Sequence, residues 1–333
     1  MKNLFKSALV AASMLIAFAA NAYDFQSGGI YYKINSGGSS VTVTTGDSGF
    51  LYSGTISIPA TVTNNGKTYN VTAIGANTFK QCSELESITI GSNVKFIDDY
   101  AFTNCSALKA VSIPNSVESM GTYYGCIFEG CSNLNTVTIG TGLKAIPSRT
   151  FAGTPINRIT IPGNVETIGS DAFNSCSHLT QLTIEEGVVN INSGAFRACS
   201  TLEKVVIPNT VKTISDNAFK NCVEMEELTL GSNVKTLGDY AFQNCNALKT
   251  ITSCNETAPQ MSNEACFTVY GSAKLYIPLG SSDSYMSTNY WNKFTDVIEK
   301  KMDNNGPVVG DVNGDGEVNI ADVNFIIDLI IRG

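Results

Sequence analysis

Apolar positions recur along this chain with a long, nearly constant period. A phenylalanine marker stands at Phe79, Phe102, Phe128, Phe151, Phe173, Phe196, Phe219 and Phe242, with spacings of 23, 26, 23, 22, 23, 23 and 23 residues. Three residues after the marker comes Cys82, Cys105, Cys131, Cys176, Cys199, Cys222 or Cys245; only the Phe151 repeat lacks it. An apolar column follows at Leu85, Leu108, Leu134, Ile156, Leu179, Leu202, Met225 and Leu248. After it come alternating triplets such as Ile88-Thr89-Ile90 and Leu182-Thr183-Ile184, then Val94 with Ile97, Val165 with Ile168, and Val211 with Ile214. Alternation of apolar and polar residues is the strand period, in which successive side chains face opposite ways. Gly or Pro follows most of these strands, at Gly91, Pro114, Gly140, Pro162, Pro208 and Gly231, as expected where a strand ends in a turn.

A single unit of this length cannot bury its own apolar face, but stacked units bury one another. The pattern predicts a β-rich solenoid with one parallel strand per coil. Seven or eight coils at roughly 4.8 Å per strand would make a ribbon some 35–40 Å long. A four-stranded propeller blade needs about 40–45 residues, so this period argues against a propeller. The repeat x-Ala-Phe-x-x-Cys-x-x-Leu-x-x-Ile-x-Ile-Pro-x-x-Val-x-x-Ile, clear from Ala172-Phe173 to Ile191 and from Ala218-Phe219 to Leu237, resembles the BspA-like leucine-rich repeats. The resemblance covers about residues 55–250. It implies a curved, right-handed leucine-rich-repeat stack with a parallel sheet on one face, carried on a secreted or surface protein of host-associated bacteria. It also implies adhesion or ligand binding rather than catalysis, with no catalytic residue to carry over.

An open stack exposes apolar coils at both ends, so the flanking segments are expected to cap it. Residues 23–54 suit an N-terminal β cap: Ile30 to Ile34 and Val41 to Thr45 alternate as strands around Ser36-Gly37-Gly38-Ser39, a hairpin signature. Ile56 to Val62 opens a first, irregular coil interrupted by Asn64-Asn65-Gly66. Residues 251–299 form the expected C-terminal cap, with Leu275-Tyr276-Ile277-Pro278 as a last strand and Tyr290, Trp291 and Phe294 sealing the core. Trp291, the sole tryptophan, suits that core better than a sugar-stacking surface.

The 43% apolar and 15% charged content suits a packed core rather than disorder. The net charge is −8, and an acidic chain of this kind makes nucleic acid and anionic lipid poor partners. Residues 1–22 read as a secretory signal: Lys2 and Lys6, then an apolar stretch from Leu9 to Phe18, then Ala20-Asn21-Ala22 as the cleavage pattern. Cleavage after Ala22 would leave a secreted or cell-surface chain of charge −10 with no membrane span.

The far end carries the one recognisable ligand chemistry. After a polar linker over residues 300–310, the run Asp311, Asn313, Asp315, Gly316, Glu317, Asn319 and Asp322 fits positions 1, 3, 5, 6, 7, 9 and 12 of an EF-hand calcium loop. Carboxylate and amide oxygens would converge on a hard cation, with Gly316 allowing the sharp turn and the Glu317 carbonyl as a ligand. With Asp in place of Glu at the twelfth position, residues 311–333 resemble a type I dockerin repeat, which implies calcium as cofactor and a cohesin-like partner. A dockerin carries two such segments and this chain has one. A docking device and a calcium-stapled structural tail therefore both stand as readings.

The remaining polar features point away from catalysis. His178 is the only histidine, which excludes a zinc site built from several histidines, and its place in the loop of one repeat argues against a histidine-dependent triad. Glu185-Glu186 and Asp98-Asp99 are adjacent pairs, not the opposed carboxylates that glycoside hydrolysis uses. The ladder cysteines fall at equivalent places on successive coils, so their Cβ vectors run nearly parallel, a geometry that disfavours disulfides. They suit free buried thiols, whereas Cys254 and Cys266 lie off the ladder as a candidate pair. Between the paired apolar strand positions run Thr89, Ser112, Thr138, Thr160, Thr183, Val206, Thr229 and Thr252. Thr fits pleated, half-exposed sites for its β-propensity alone. The same column could form a hydroxyl strip, flanked by Arg158, Lys204 and Glu227, that recognises an extracellular protein or glycan.

Overall fold

In the computed structural model, residues 22–47 and 50–302 are described. The chain winds into a β-solenoid of about ten coils. Each coil has three stretches: a turn centred on the marker phenylalanine, a strand on one face, and a two-residue strand on a second face.

The first face is formed by Leu85–Thr89, Ala110–Ser112, Thr136–Thr138, Arg158–Ile161, Gln181–Ile184, Lys204–Val206, Glu227–Leu230, Thr250–Ser253, Lys274–Pro278 and Asp296–Lys300. Every pairing among them is parallel and in register with the repeat, as in Arg158↔Gln181 through Ile161↔Ile184. The second face runs from Phe96–Ile97 to Gln260–Met261. There the inward column of Ile146, Ile168, Ile191, Ile214 and Leu237 lies 1% exposed or less.

The phenylalanines form one interior file. Consecutive ring centroids from Phe79 to Phe242 lie 4.9 to 5.5 Å apart, with ring planes within 19° of parallel. Stacking identical rings leaves no void between coils, which is how a thin core reaches interior packing density.

The turn that carries each phenylalanine depends on left-handed backbone at two sites, two residues before and two after the marker. In the Phe79 coil these are Asn77 and Gln81, in the Phe102 coil Tyr100 and Asn104, and in the Phe219 coil Asn217 and Asn221. This alternation aims every second N–H at the next coil: Asn77, Phe79 and Gln81 donate to the carbonyls of Asp99, Ala101 and Thr103 at 2.7 to 3.1 Å. The third side of the solenoid is thereby hydrogen-bonded from coil to coil without being strand. Non-glycine residues bear some strain in this region, offset by a satisfied backbone donor at each step.

The cysteine column has a polar reason as well as a steric one. The thiols of Cys105, Cys131, Cys176, Cys199, Cys222 and Cys245 donate to the phenylalanine carbonyl of the preceding coil at 3.0 to 3.3 Å. A small apolar group with one weak donor fits that place. Where the column is interrupted, Thr154 substitutes, its hydroxyl donating to Phe151 O at 2.7 Å. All ten cysteines are free, so the candidate Cys254–Cys266 pair does not form: Cys266 is packed beneath Phe242, to whose N–H its carbonyl bonds.

Two expectations for the C-terminal region need correction. The period does not stop near residue 250. Phe267 continues the file, 5.1 Å from Phe242, and Lys274–Pro278 pairs parallel with Thr250–Ser253. Nor is Lys274–Pro278 the last strand, because Asp296–Lys300 adds in parallel beyond it. The reason both were missed is that the marker drifts: Phe267 lies 25 residues after Phe242 and Tyr270 replaces the cysteine. Phe267 then meets Trp291 at 5.9 Å and Phe294 at 5.6 Å. Trp291 is fully buried, with its Nε1 donating to Pro259 O at 2.7 Å, which rules it out as an exposed sugar platform.

At the other end, Ile30–Ile34 pairs antiparallel with Ser40–Thr44. Asn64-Asn65-Gly66 turns Thr61–Asn64 back onto Lys67–Ile74, also antiparallel. Tyr52 lies 4.6 Å from Phe79, and its hydroxyl donates to Thr44 O and accepts from the Tyr31 N–H.

Candidate binding face

The threonine column predicted from sequence is one file on the first face. Register places Ser57 beside Thr89, Ser112 beside Thr138, Thr160 beside Thr183, and Val206 beside Thr229 and then Thr252. Its neighbours along each strand point inward, so Thr89, Ser112, Thr138, Thr160 and Thr183 are exposed. The character changes beyond Val206. Thr229 and Thr252 are half-buried, and the file continues through Tyr276 and Ile298. The hydroxyl strip therefore occupies the first half of the face and gives way to a more apolar second half.

The flanking charges form a parallel file two residues earlier. Lys204, Glu227, Thr250, Lys274 and Asp296 stand in register, with Lys204 and Glu227 paired at 3.1 Å. Such an exposed pair contributes little stability. Toward the Thr183 end of the strip lies a shallow depression of about 390 Å³, lined by Thr138, Arg158, Thr160, Gln181, Thr183 and Glu185 among others.

The adjacent carboxylates Glu185-Glu186 and Asp98-Asp99 are occupied in holding backbone. Glu185 accepts the Gly163 N–H at 2.9 Å, and Glu186 accepts those of Asn209 and Thr210. Asp98 accepts the Asp99 N–H and the Thr122 hydroxyl. Asp99, only 7% exposed, accepts four backbone N–H groups, from Thr122, Tyr123, Tyr124 and Gly125, at 2.7 to 3.2 Å. Burial pushes its carboxyl up, but the four donors together outweigh burial and hold it below the usual carboxylate range. His178 is exposed, its ring 3.4 Å from the Ser177 hydroxyl. Among the described residues no group of three His, Cys, Asp or Glu side chains is placed to hold a metal. No helix there is long and apolar enough to cross a membrane.

Asp99 marks what sequence reasoning missed. The 26-residue spacing between Phe102 and Phe128 signals an insertion, but nothing in the pattern says where the extra residues go. They emerge as the loop Gly121–Gly125, with Tyr123 86% and Tyr124 64% exposed.

Sequence comparison agrees with the geometry. The BspA type leucine-rich repeat region matches in six copies over residues 60–180 and 166–291. The chain belongs to the BspA-type leucine-rich-repeat family. No curated protein sequence matches it. Among solved structures it is similar to a leucine-rich repeat protein from Bacteroides ovatus, at 27% identity and a TM-score of 0.64 over 84% of this chain and 77% of that one. Looser likenesses are to the Treponema pallidum leucine-rich repeat protein and a leucine-rich cell surface protein from Faecalibacterium prausnitzii. The first has 23% identity and a TM-score of 0.47 over 68% and 90% of the two chains. The second has 22% identity and a TM-score of 0.33 over 84% and 95%. No catalytic family is among these matches. The calcium-loop residues Asp311, Asn313, Asp315, Glu317, Asn319 and Asp322 and all but Ala22 of the signal at 1–22 lie outside the described residues.

Proposed function

We propose that this BspA-type repeat protein works outside the cell or at its surface as a non-enzymatic binding or adhesion protein. In this reading the strand face contacts a host protein or a glycan. The observation that carries it is the exposed row Thr89, Ser112, Thr138, Thr160 and Thr183, held in register on a stiff sheet and notched by the depression at Arg158. A broad surface pre-ordered by its core binds without losing conformational freedom at the moment of contact. The signal-like segment at 1–22 supports export. Binding of the full chain to purified extracellular-matrix proteins and surface glycans tests the reading. Replacing Thr160 and Thr183 together with Lys should weaken capture at least ten-fold. Capture unchanged in that double variant removes the strip from recognition.

A second reading rests on the motif at 311–322. The protein would join a larger extracellular assembly through a calcium-ordered segment and a cohesin-like partner. Calorimetric titration of the full chain with calcium, beside an Asp311→Ala/Asp315→Ala variant, tests it. Heat present in the first and absent in the second is the supporting result. A truncation for this purpose should stop after Met302, because Lys300 still belongs to the sheet.

A further inference from the structure

The insertion at Gly121–Gly125 and the groove beside it make a site of their own. The loop is built to hold its shape. Besides the four bonds to Asp99, the Gly125 carbonyl accepts from the Tyr100 N–H at 3.0 Å, and the Cys126 N–H donates to Ser148 O at 2.9 Å. The Thr103 hydroxyl donates to Cys126 O. A side chain at Gly125 would strike the Ser148 carbonyl, the ideal Cβ lying 2.2 Å from it, so only glycine lets the loop sit this close to the next coil. This rigid base presents two tyrosines to solvent. Tyr124 packs on Tyr100 at 5.8 Å, and Lys80 sits over the Tyr100 ring at 4.9 Å.

Tyr100 is also one wall of a groove of about 550 Å³, whose floor includes Gly130 and Gly153. At Gly153 the floor is open, an ideal Cβ there meeting nothing within 4 Å, while at Gly130 the absent side chain makes room for Asn104, whose Oδ1 would lie 2.2 Å from a Cβ. Around the floor stand Asn104, Asn174, Glu129 and Arg149, the last two paired with each other.

We infer that this tyrosine loop and groove form a binding site for a neutral oligosaccharide. Sugars present apolar C–H faces that lie on aromatic rings and neighbouring hydroxyls that match planar amide and carboxylate groups; both partners are here. The cations are already engaged, Arg149 by Glu129 and Lys80 by a ring face, so the site has little to offer an anion. The volume lies within the ~300–1,000 Å³ of small-ligand sites. Large exposed aromatics on a backbone already fixed spare the ligand the ordering loss of a mobile loop. The groove lies on a different stretch of the coil from the hydroxyl strip, so its occupancy does not depend on what the strip contacts.

The test is titration of the full chain, by calorimetry, with cello-, manno-, xylo- and galacto-oligosaccharides. Saturable binding to at least one is expected, with Tyr123→Ala and Tyr124→Ala each weakening it about ten-fold, the size of one lost ring contact. Gly153→Asn should weaken it as much by filling the groove, since Asn tolerates left-handed backbone. All three positions are exposed, and thermal unfolding that matches the parent shows the fold intact. The Thr160→Lys/Thr183→Lys variant should bind sugar normally, which separates this site from the strip. The inference is overturned by no binding to any of the four series, by binding indifferent to the tyrosines, or by a loop that captures protein while ignoring sugar.

Discussion

The coils from Phe173 to Phe242 and the coil from Phe102 to Phe128 differ outside and agree inside. The first group keeps 23 residues per turn and the second takes 26. Yet the rings of Phe102 and Phe128 stack at 4.9 Å and 7°, against 5.2 Å and 3° for Phe173 and Phe196. The extra residues cost the interior nothing because a file of identical rings has only one good spacing. A longer coil must therefore expel its surplus at a corner. There a buried carboxylate turns it from a loose flap into an ordered display. The lesson is a division of labour: inward positions fix the stack, and departures from the period show where the surface has been built for something else.

The largest expected effect comes from the regular region. Phe173→Ala should destabilise the protein by about 3–5 kcal/mol, measured by denaturant unfolding. A value within the ~0.5 kcal/mol usual for surface changes would break the claim that the file carries stability. Next comes the anchor of the irregular coil. Asp99→Ala leaves four N–H groups without their acceptor and should cost about 1.5–3 kcal/mol, with faster amide exchange at Thr122 to Gly125 only. The sign with pH follows from the depressed carboxyl. Its stabilisation is complete above the ordinary carboxylate pKa and is lost as pH falls through the lower folded value. Protection of those four amides should therefore persist into mild acid and vanish below it.

A smaller effect separates the thiols from both. Cys199→Ala should cost about 1–2 kcal/mol through lost packing and the loss of one of the two hydrogen bonds to the Phe173 carbonyl, the Cys176 N–H keeping the other. Burial pushes the Cys176 thiol up to about 11 and that of Cys266 to about 12, so these thiolates are scarce at neutral pH. Native protein should resist alkylation at every ladder cysteine, while unfolded protein reacts at all ten. Rapid native labelling of Cys199 would contradict the buried column. Smallest of all, Tyr123→Ala should change stability by less than about 0.5 kcal/mol, since its ring touches solvent rather than core.

What could be read from the chain beforehand divides along the same line. Phe, Cys, Leu and Ile columns were legible because burial selects side-chain type, and type repeats. The paired left-handed residues around each phenylalanine were not. They include Asn, Gln, Tyr, Cys, Arg, Asp, Ser, Ala and Gly, since the requirement there falls on the backbone and is met by bonds to the adjacent coil. The period puts the hydroxyl-bearing residues at one register position, but the fading of that column beyond Val206 depends on neighbours that no period encodes. The continuation through Phe267 was hidden by a two-residue drift and a lost cysteine. The tyrosine loop left only one trace, an interval three residues too long.

Each phenylalanine turn is bonded to the next along the stack. Because the N–H groups of each turn are answered by the following winding rather than by anything distant, a winding knows only the two beside it. Copying or deleting one whole unit would change the molecule's length by a single step of about 5 Å while leaving the windings beyond its immediate neighbours as they were. Length in such a molecule can grow or shrink like beads on a string, and two descendants can differ in span while sharing most local environments.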